Sequence, residues 1–300
     1  MPELLSPTAL DEVFESPDVS LPDAYRACET IVRRHYENFP VVSRFLTRAR
    51  RQALAAIYAF ARNADDVADA AAPTQDRLAA LDRLEVALYA ALDGNPTGPI
   101  FTALADTMER HALPAEPLLE LLTAFRRDAR DETFSTWDDL LRYCRGSANT
   151  IGRLVLALHR VDELEAIRKS DAICTALQLT NFWQDLGLDL ARGRLFIPLE
   201  ELRQFGLSRH DLERPESHPR LTLLLQHMCH ATDALYERGR GIAAHIPFGL
   251  SLQLKLTIAG GRAILRKVER DGWHVIARRP SLGTAARARI LIPALLGFDA

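Results

Sequence analysis

Residues 53–69 read ALAAIYAFARNADDVAD, and this stretch decides the fold. It is apolar nearly all round until the acids begin, which predicts a buried helix. Asp65 and Asp69 are four residues apart, so a helix brings their carboxylates to one face. Arg62 and Tyr58 continue this stripe toward the N-terminus. A polar stripe on a buried helix is expected to line a cavity. An exposed helix end, where acids are common, is the alternative.

A second stretch, residues 176–194, repeats the pattern as ALQLTNFWQDLGLDLARGR. Gln178, Asn181, Asp185 and Asp189 fall on one face of an otherwise apolar helix. Buried amides need hydrogen-bond partners, which again indicates a cavity. Arg194, in the loop that follows, offers a guanidinium suited to phosphate recognition. A helix C-terminus complemented by arginine is the alternative interpretation.

The two acidic pairs together indicate a metal site for phosphate. Carboxylates one turn apart repel each other unless something positive lies between them. Mg²⁺ is a hard cation that takes carboxylate oxygens together with substrate phosphate oxygens. If the pairs face each other, Asp65, Asp69, Asp185 and Asp189 are candidate metal ligands and catalytic residues. This arrangement predicts an enzyme that ionises a diphosphate ester.

Composition excludes several other classes of protein. The 300 residues are 48% hydrophobic, enough for a sizeable core, and the net charge of −3 argues against a nucleic-acid partner. The four cysteines lack metal-site spacing, which is typical of reduced thiols in the cytoplasm. Neither a signal peptide nor a run of about 18 apolar residues occurs. We expect a cytoplasmic protein.

Helical periodicity dominates the chain, and Gly and Pro separate its helical stretches. We expect a polar, poorly ordered leader over 1–20 and one all-α domain over 21–300, with helices around a central cavity. A long loop is expected over 192–216. The predicted helices span 22–37, 47–70, 75–92, 98–111, 115–131, 137–159, 163–191, 217–244, 250–272 and 281–297.

The motifs resemble the head-to-head prenyl synthase family, which includes squalene, phytoene and dehydrosqualene synthases. The resemblance runs from about residue 23 to 290 and rests on three motifs: YAFAR running into DDVAD at 58–69, YCRG at 143–146, and QLTN running through DLGLD to RGRL at 178–195. It implies an all-α isoprenoid synthase fold. It also implies Mg²⁺ bridging the four aspartates to diphosphate.

The resemblance further implies roles for individual side chains. Residues matching Arg62, Gln178 and Asn181 contact diphosphate in the family. His35 and Arg278 fall where other members place such contacts. We expect Arg44 to clamp the substrate as well.

The carbocation left after ionisation needs aromatic faces, each of which stabilises a cation by about 0.5–2 kcal/mol. Phe39, Tyr58 and Phe182 are candidates for this wall. Phe60 and Trp183 lie off the aspartate stripes, so core packing is the preferred interpretation for them.

Two segments resemble the bacterial hydroxysqualene synthase branch of squalene and hopanoid biosynthesis: Ser147–Gly152 and Glu37–Pro40. That branch takes presqualene diphosphate, releases diphosphate and adds water. Asn149 replaces a family glycine, and we expect it to orient the water. No NADPH is expected. Since substrate and product are lipids, peripheral contact with the inner membrane face is expected too.

Two alternatives stay open. A sibling enzyme would condense two prenyl diphosphates to presqualene diphosphate, squalene or phytoene. A non-catalytic helical scaffold could keep the fold, but it would be expected to lose the metal carboxylates, and all four persist here.

Overall fold

The computed structural model describes residues 19–34, 46–213 and 219–283. Within these ranges all regular structure is helical, as predicted. The α-helices are α1 (Leu21–Arg34), α2 (Arg48–Ala68), α3 (Thr74–Leu92), α4 (Gly98–His111), α5 (Glu116–Ala129), α6 (Trp137–Cys144), α7 (Thr150–Leu158), α8 (Leu164–Ala191), α9 (Leu199–Gln204), α10 (Pro219–Arg238), α11 (Phe248–Asp271) and α12 (His274–Ala277).

Three short helical turns of other types complete the described structure. A π-helical turn, Arg145–Asn149, joins α6 to α7. Two 3₁₀ turns cover Arg209–Glu213 and Ile242–Ala244. In the predicted loop 192–216, α9 and the first 3₁₀ turn therefore replace part of the expected irregular chain.

The helix predicted over 217–244 ends early, at Arg238. Gly241 adopts a φ of 81°, a left-handed conformation that interrupts an α-helix. The helix predicted over 281–297 falls almost wholly outside the described residues, as does most of the predicted leader over 1–20. No helix in the described part of the chain combines the length and apolarity needed to cross a membrane.

The chain divides into two compact units. Among the described residues, the first unit comprises those up to 130 together with 153–161, and the second comprises 131–152 and those from 162 to 283. The prediction of one domain over 21–300 stays a prediction.

In the first unit, α2 packs against α1, α3, α4 and α5. Its apolar side is fully buried, with Phe60 edge-on to Phe101 at 6.1 Å. In the second unit, α8 packs against α6, the π-turn, α10, α11 and α12. Each acidic pair therefore lies on the most extensively packed helix of its unit, which fixes the direction of its side chains.

Candidate functional site

The first acidic stripe lies at the C-terminal end of α2. Tyr58, Arg62, Asp65 and Asp69 are all half-buried, while the residues between them, such as Ala64 and Val67, are buried. Asp69 caps the helix, and its backbone N–H donates to the carbonyl of Asp65 at 2.9 Å. The predicted stripe on a buried helix is therefore present.

Arg62 supplies a positive charge to one member of the acidic pair, Asp65, and to the neighbouring Asp66. Its Nη1 lies 3.1 Å from Asp65 Oδ2, and its Nη2 lies 2.6 Å from Asp66 Oδ1. Burial opposes the charge of this guanidinium, but the two carboxylates outweigh it and raise the pKa of Arg62. Asp66 was not among the predicted site residues; its spacing of four from Arg62 is the signal that could have found it.

The second acidic stripe lies on α8. Gln178, Asn181, Asp185 and Asp189 are all half-buried, whereas the intervening Leu179, Trp183 and Leu186 are buried. The backbone N–H of Arg194 donates to the carbonyl of Asp189 at 2.8 Å, which folds the following loop back on the helix end. The backbone of Arg194 thus lies at the end of the helix that carries the acidic pair, and the phosphate contact expected of its side chain stays a prediction.

A segment beyond α11, Gly272–Ser281, wraps around α8 near this stripe. We call it the strap. The backbone of Ile276 lies directly against Gly187, where an added Cβ would come within 2.1 Å of its carbonyl oxygen. The buried amide of Gln184 donates from Nε2 to the carbonyl of Pro280 at 2.7 Å. Only a glycine at position 187 lets the strap approach this closely.

The strap brings an arginine onto the acidic pair. Arg279 donates two hydrogen bonds to the carboxylate of Asp185: one from Nε to Oδ1, and one from Nη2 to Oδ2 at 3.0 Å. Sequence reasoning had named its neighbour, Arg278, which is exposed and follows α12 as its C-cap. Bidentate pairing of this kind is characteristic of arginine with planar oxyanions.

The π-turn holds Asn149 against the same helix. The residue is only 3% exposed, and its Oδ1 accepts a hydrogen bond from Thr175 Oγ1 at 2.9 Å. Thr175 lies three residues before Gln178, so Asn149 is anchored next to the start of the polar stripe. π-Turns are rare and often occur at functional sites.

An aromatic cluster flanks the second stripe. Phe182 stacks on Phe196 with ring centroids 3.9 Å apart and lies 6.1 Å from Tyr143. Trp183 is fully buried and donates from Nε1 to Thr232 Oγ1 at 2.9 Å. The buried positions of Phe60 and Trp183 agree with core packing as their main role. The sequence did not indicate that Phe196 belongs to the aromatic cluster.

The remaining predicted residues, His35, Phe39 and Arg44, lie outside the described residues. The described part of the chain holds no cluster of three or more His, Cys, Asp or Glu able to bind a metal by itself. Each stripe offers two carboxylates, a donor set that fits Mg²⁺ if phosphate oxygens and water supply the other ligands. The metal role of the four aspartates stays a prediction.

Comparison with solved structures identifies the fold as that of the all-α isoprenoid synthases. A squalene synthase HpnC from Alicyclobacillus acidocaldarius superposes with a TM-score of 0.79 at 41% identity, covering 86% of this chain and 97% of that one. A dehydrosqualene synthase structure matches with a TM-score of 0.83 over 92% of this chain and 97% of that one; at 23% identity it supports the fold alone.

Residues 32–286 match the family model for squalene/phytoene synthase, and the chain belongs to that family of enzymes acting on prenyl diphosphates. A hydroxysqualene synthase of Rhodopseudomonas palustris is 34% identical over 78% of this chain and 80% of its own length. A 15-cis-phytoene synthase of Synechococcus elongatus is 30% identical over 88% of this chain and 90% of its own. The predicted family and fold are thus confirmed.

Proposed function

We propose that this enzyme is a Mg²⁺-dependent hydroxysqualene synthase, which ionises presqualene diphosphate and captures the carbocation with water. Asn149 is the observation that carries the choice of branch. It is a buried amide where the resemblance to the family implies glycine, and Thr175 fixes its carbonyl end. The amide end is then the one able to hold a water. Identities of 34% and 36% to hydroxysqualene synthases of Rhodopseudomonas palustris and Zymomonas mobilis support the same branch.

Ionisation breaks the bond between carbon and the diphosphate oxygen, and both electrons leave with the oxygen. Mg²⁺ bound by Asp65, Asp69, Asp185 and Asp189 would neutralise the charge on the leaving group. The carboxylates of Asp65 and Asp66 hold the Arg62 guanidinium at the acidic stripe. From this position its positive charge would stabilise the departing diphosphate.

Water then completes the reaction. An oxygen lone pair forms the new carbon–oxygen bond, and one proton is lost, so the products are a triterpene alcohol, diphosphate and a proton. No hydride is transferred, and therefore the proposal includes no NADPH. Because the substrate and product are lipids, peripheral membrane contact belongs to the proposal too.

A product assay tests the proposal. The purified protein is incubated with Mg²⁺ and either farnesyl diphosphate or presqualene diphosphate, without NADPH, and the extract is analysed by mass spectrometry. We expect hydroxysqualene from presqualene diphosphate only. Asp65→Ala and Asp185→Ala should each lower turnover by at least about 10²-fold. Asp162→Ala, which removes an exposed carboxylate, is the matched control.

Two variants test the branch residue. Asn149→Gly should lower the ratio of alcohol to hydrocarbon, and Thr175→Val, which keeps the side-chain shape but removes the donor to Asn149, should shift it the same way. An unchanged ratio in both variants would contradict the role of Asn149.

A second candidate is a synthase that condenses two prenyl diphosphates. One observation favours it: the Synechococcus phytoene synthase matches 88% of this chain, more than the 70% matched by a hydroxysqualene synthase of Zymomonas mobilis at 36% identity. Presqualene diphosphate formed from farnesyl diphosphate would move the enzyme to this branch.

A further inference from the structure

The C-terminal end of α2 has an electrostatic problem. A helix end carries unpaired carbonyl groups and a partial negative charge. Here that end also bears Asp65, Asp66 and Asp69, and the last turn of α2 has no basic residue. Arg62 pairs with the first two acids one turn earlier. The carbonyls of Asp65 and Val67 accept from the backbone N–H groups of Asp69 and Ala70, so a positive group from elsewhere in the fold is most favourable beside the carbonyl of Ala68.

Arg77 of α3 fills this position. Its Nη1 donates to the carbonyl of Ala68, the last residue of α2, at 3.1 Å, and its Nη2 donates to Thr74 Oγ1 at 3.2 Å. The side chain is buried, with 9% of the residue exposed. A cation at the start of α3 is unfavourable for α3 itself, because a helix N-terminus is partly positive. The placement of Arg77 thus benefits α2.

We propose that Arg77 is a positioning residue that holds the first acidic pair in shape for metal binding. Ala68 lies between Asp65 and Asp69, and the N–H of Asp69 is bonded to the carbonyl of Asp65. Fixing the Ala68 carbonyl therefore fixes the turn that sets the separation of the two carboxylates. This role rests on the proposed function of the pair as a Mg²⁺ and diphosphate site.

The test compares the buried Arg77 with a half-buried arginine of the same unit, Arg126. Arg77→Met removes the charge and the donors, and Arg77→Lys keeps the charge. The control is Arg126→Met: Arg126 lies 2.7 Å from Asp82 and also contacts Glu85, joining α5 to α3 away from the acidic turn. Thermal shift is measured against Mg²⁺ concentration with inorganic diphosphate present. Each shift is taken relative to that variant's own unliganded Tm, so a general loss of stability cancels.

We expect Arg77→Met to need at least about fivefold more Mg²⁺ than wild type for half-maximal stabilisation. Arg77→Lys should recover most of this loss. The Mg²⁺ concentration for half-maximal stabilisation of Arg126→Met should stay within about twofold of wild type. In turnover assays Arg77→Met should raise the KM for Mg²⁺ while kcat at saturating Mg²⁺ changes little. Wild-type Mg²⁺ dependence in Arg77→Met would overturn the role of Arg77 alone. A wild-type protein that Mg²⁺ and diphosphate do not stabilise, or that Asp65→Ala leaves equally stabilised, would overturn both this role and the proposed site.

Discussion

Gly187→Ala is the substitution that most directly tests the link between the strap and the second acidic pair. The added Cβ would lie 2.1 Å from the carbonyl oxygen of Ile276 and 2.8 Å from its carbonyl carbon. Both atoms belong to the backbone, so no change of rotamer relieves the clash. The strap must move by about 1.3 Å to reach the 3.4 Å of ordinary contact.

Two opposing effects set the change in stability. Overpacking of this kind typically costs about 1–3 kcal/mol. Alanine gains about 1 kcal/mol over glycine inside a helix. The net loss is about 1 kcal/mol, which corresponds to a fall in Tm of about 2–4 °C. Stability alone would therefore hardly affect activity at room temperature.

The effect on activity should be larger, because the displaced strap carries Arg279 away from Asp185 and strains the hydrogen bond from Gln184 to Pro280. A misplacement of about 1 Å in an active site can lower the rate about 10²-fold, so we expect kcat/KM to fall by about 10- to 100-fold. Gly283→Ala is the control, since its added Cβ has nothing within 4 Å. Wild-type kcat/KM and Tm in Gly187→Ala would refute the reasoning.

Other measurements probe the charge and burial of single side chains. Arg279→Gln breaks a half-exposed ion pair, so stability should change by less than about 1 kcal/mol. Turnover should fall at least about tenfold, because the strap no longer supplies a guanidinium beside the proposed diphosphate site; wild-type turnover would contradict this. Burial lowers the pKa of His159, so below about pH 6.5 the unfolded chain binds a proton that the folded chain resists. Urea unfolding should show stability falling from pH 7.5 to 5.5, and less steeply in His159→Gln; equal slopes would count against it. Burial also raises the pKa of the Cys144 thiol, so iodoacetamide at pH 8 should alkylate the half-buried Cys174 first, and equal rates would be the contrary result.

Sequence reasoning succeeded where helical periodicity determines direction. The acidic helices begin and end within two residues of their predicted bounds, because an apolar face interrupted by regular polar positions has one consistent helical interpretation. The same periodicity placed Gln178 and Asn181 on the side of α8 that carries Asp185, and the structure agrees.

Contacts that depend on the path of the chain could not be predicted in this way. The strap contacts Asp185 through Arg279 and not Arg278, since the close approach at Gly187 decides its course. Arg77 of α3 contacts Ala68 at the end of α2, and no spacing within a single helix indicates a contact between two helices. The pairing of Asp66 with Arg62 is a different case, because their spacing of four residues was a signal present in the sequence.

The direction of the Asn149 side chain depends on the number of residues in the π-turn Arg145–Asn149. A π-turn holds one residue more than an α-turn. Deleting a single residue there would let α6 and α7 run as one regular helix and would rotate Asn149 by about 100° away from Thr175. Relatives that differ by one residue in this turn would thus present a different side chain to the same place, and the product could change without any substitution at the acidic pairs.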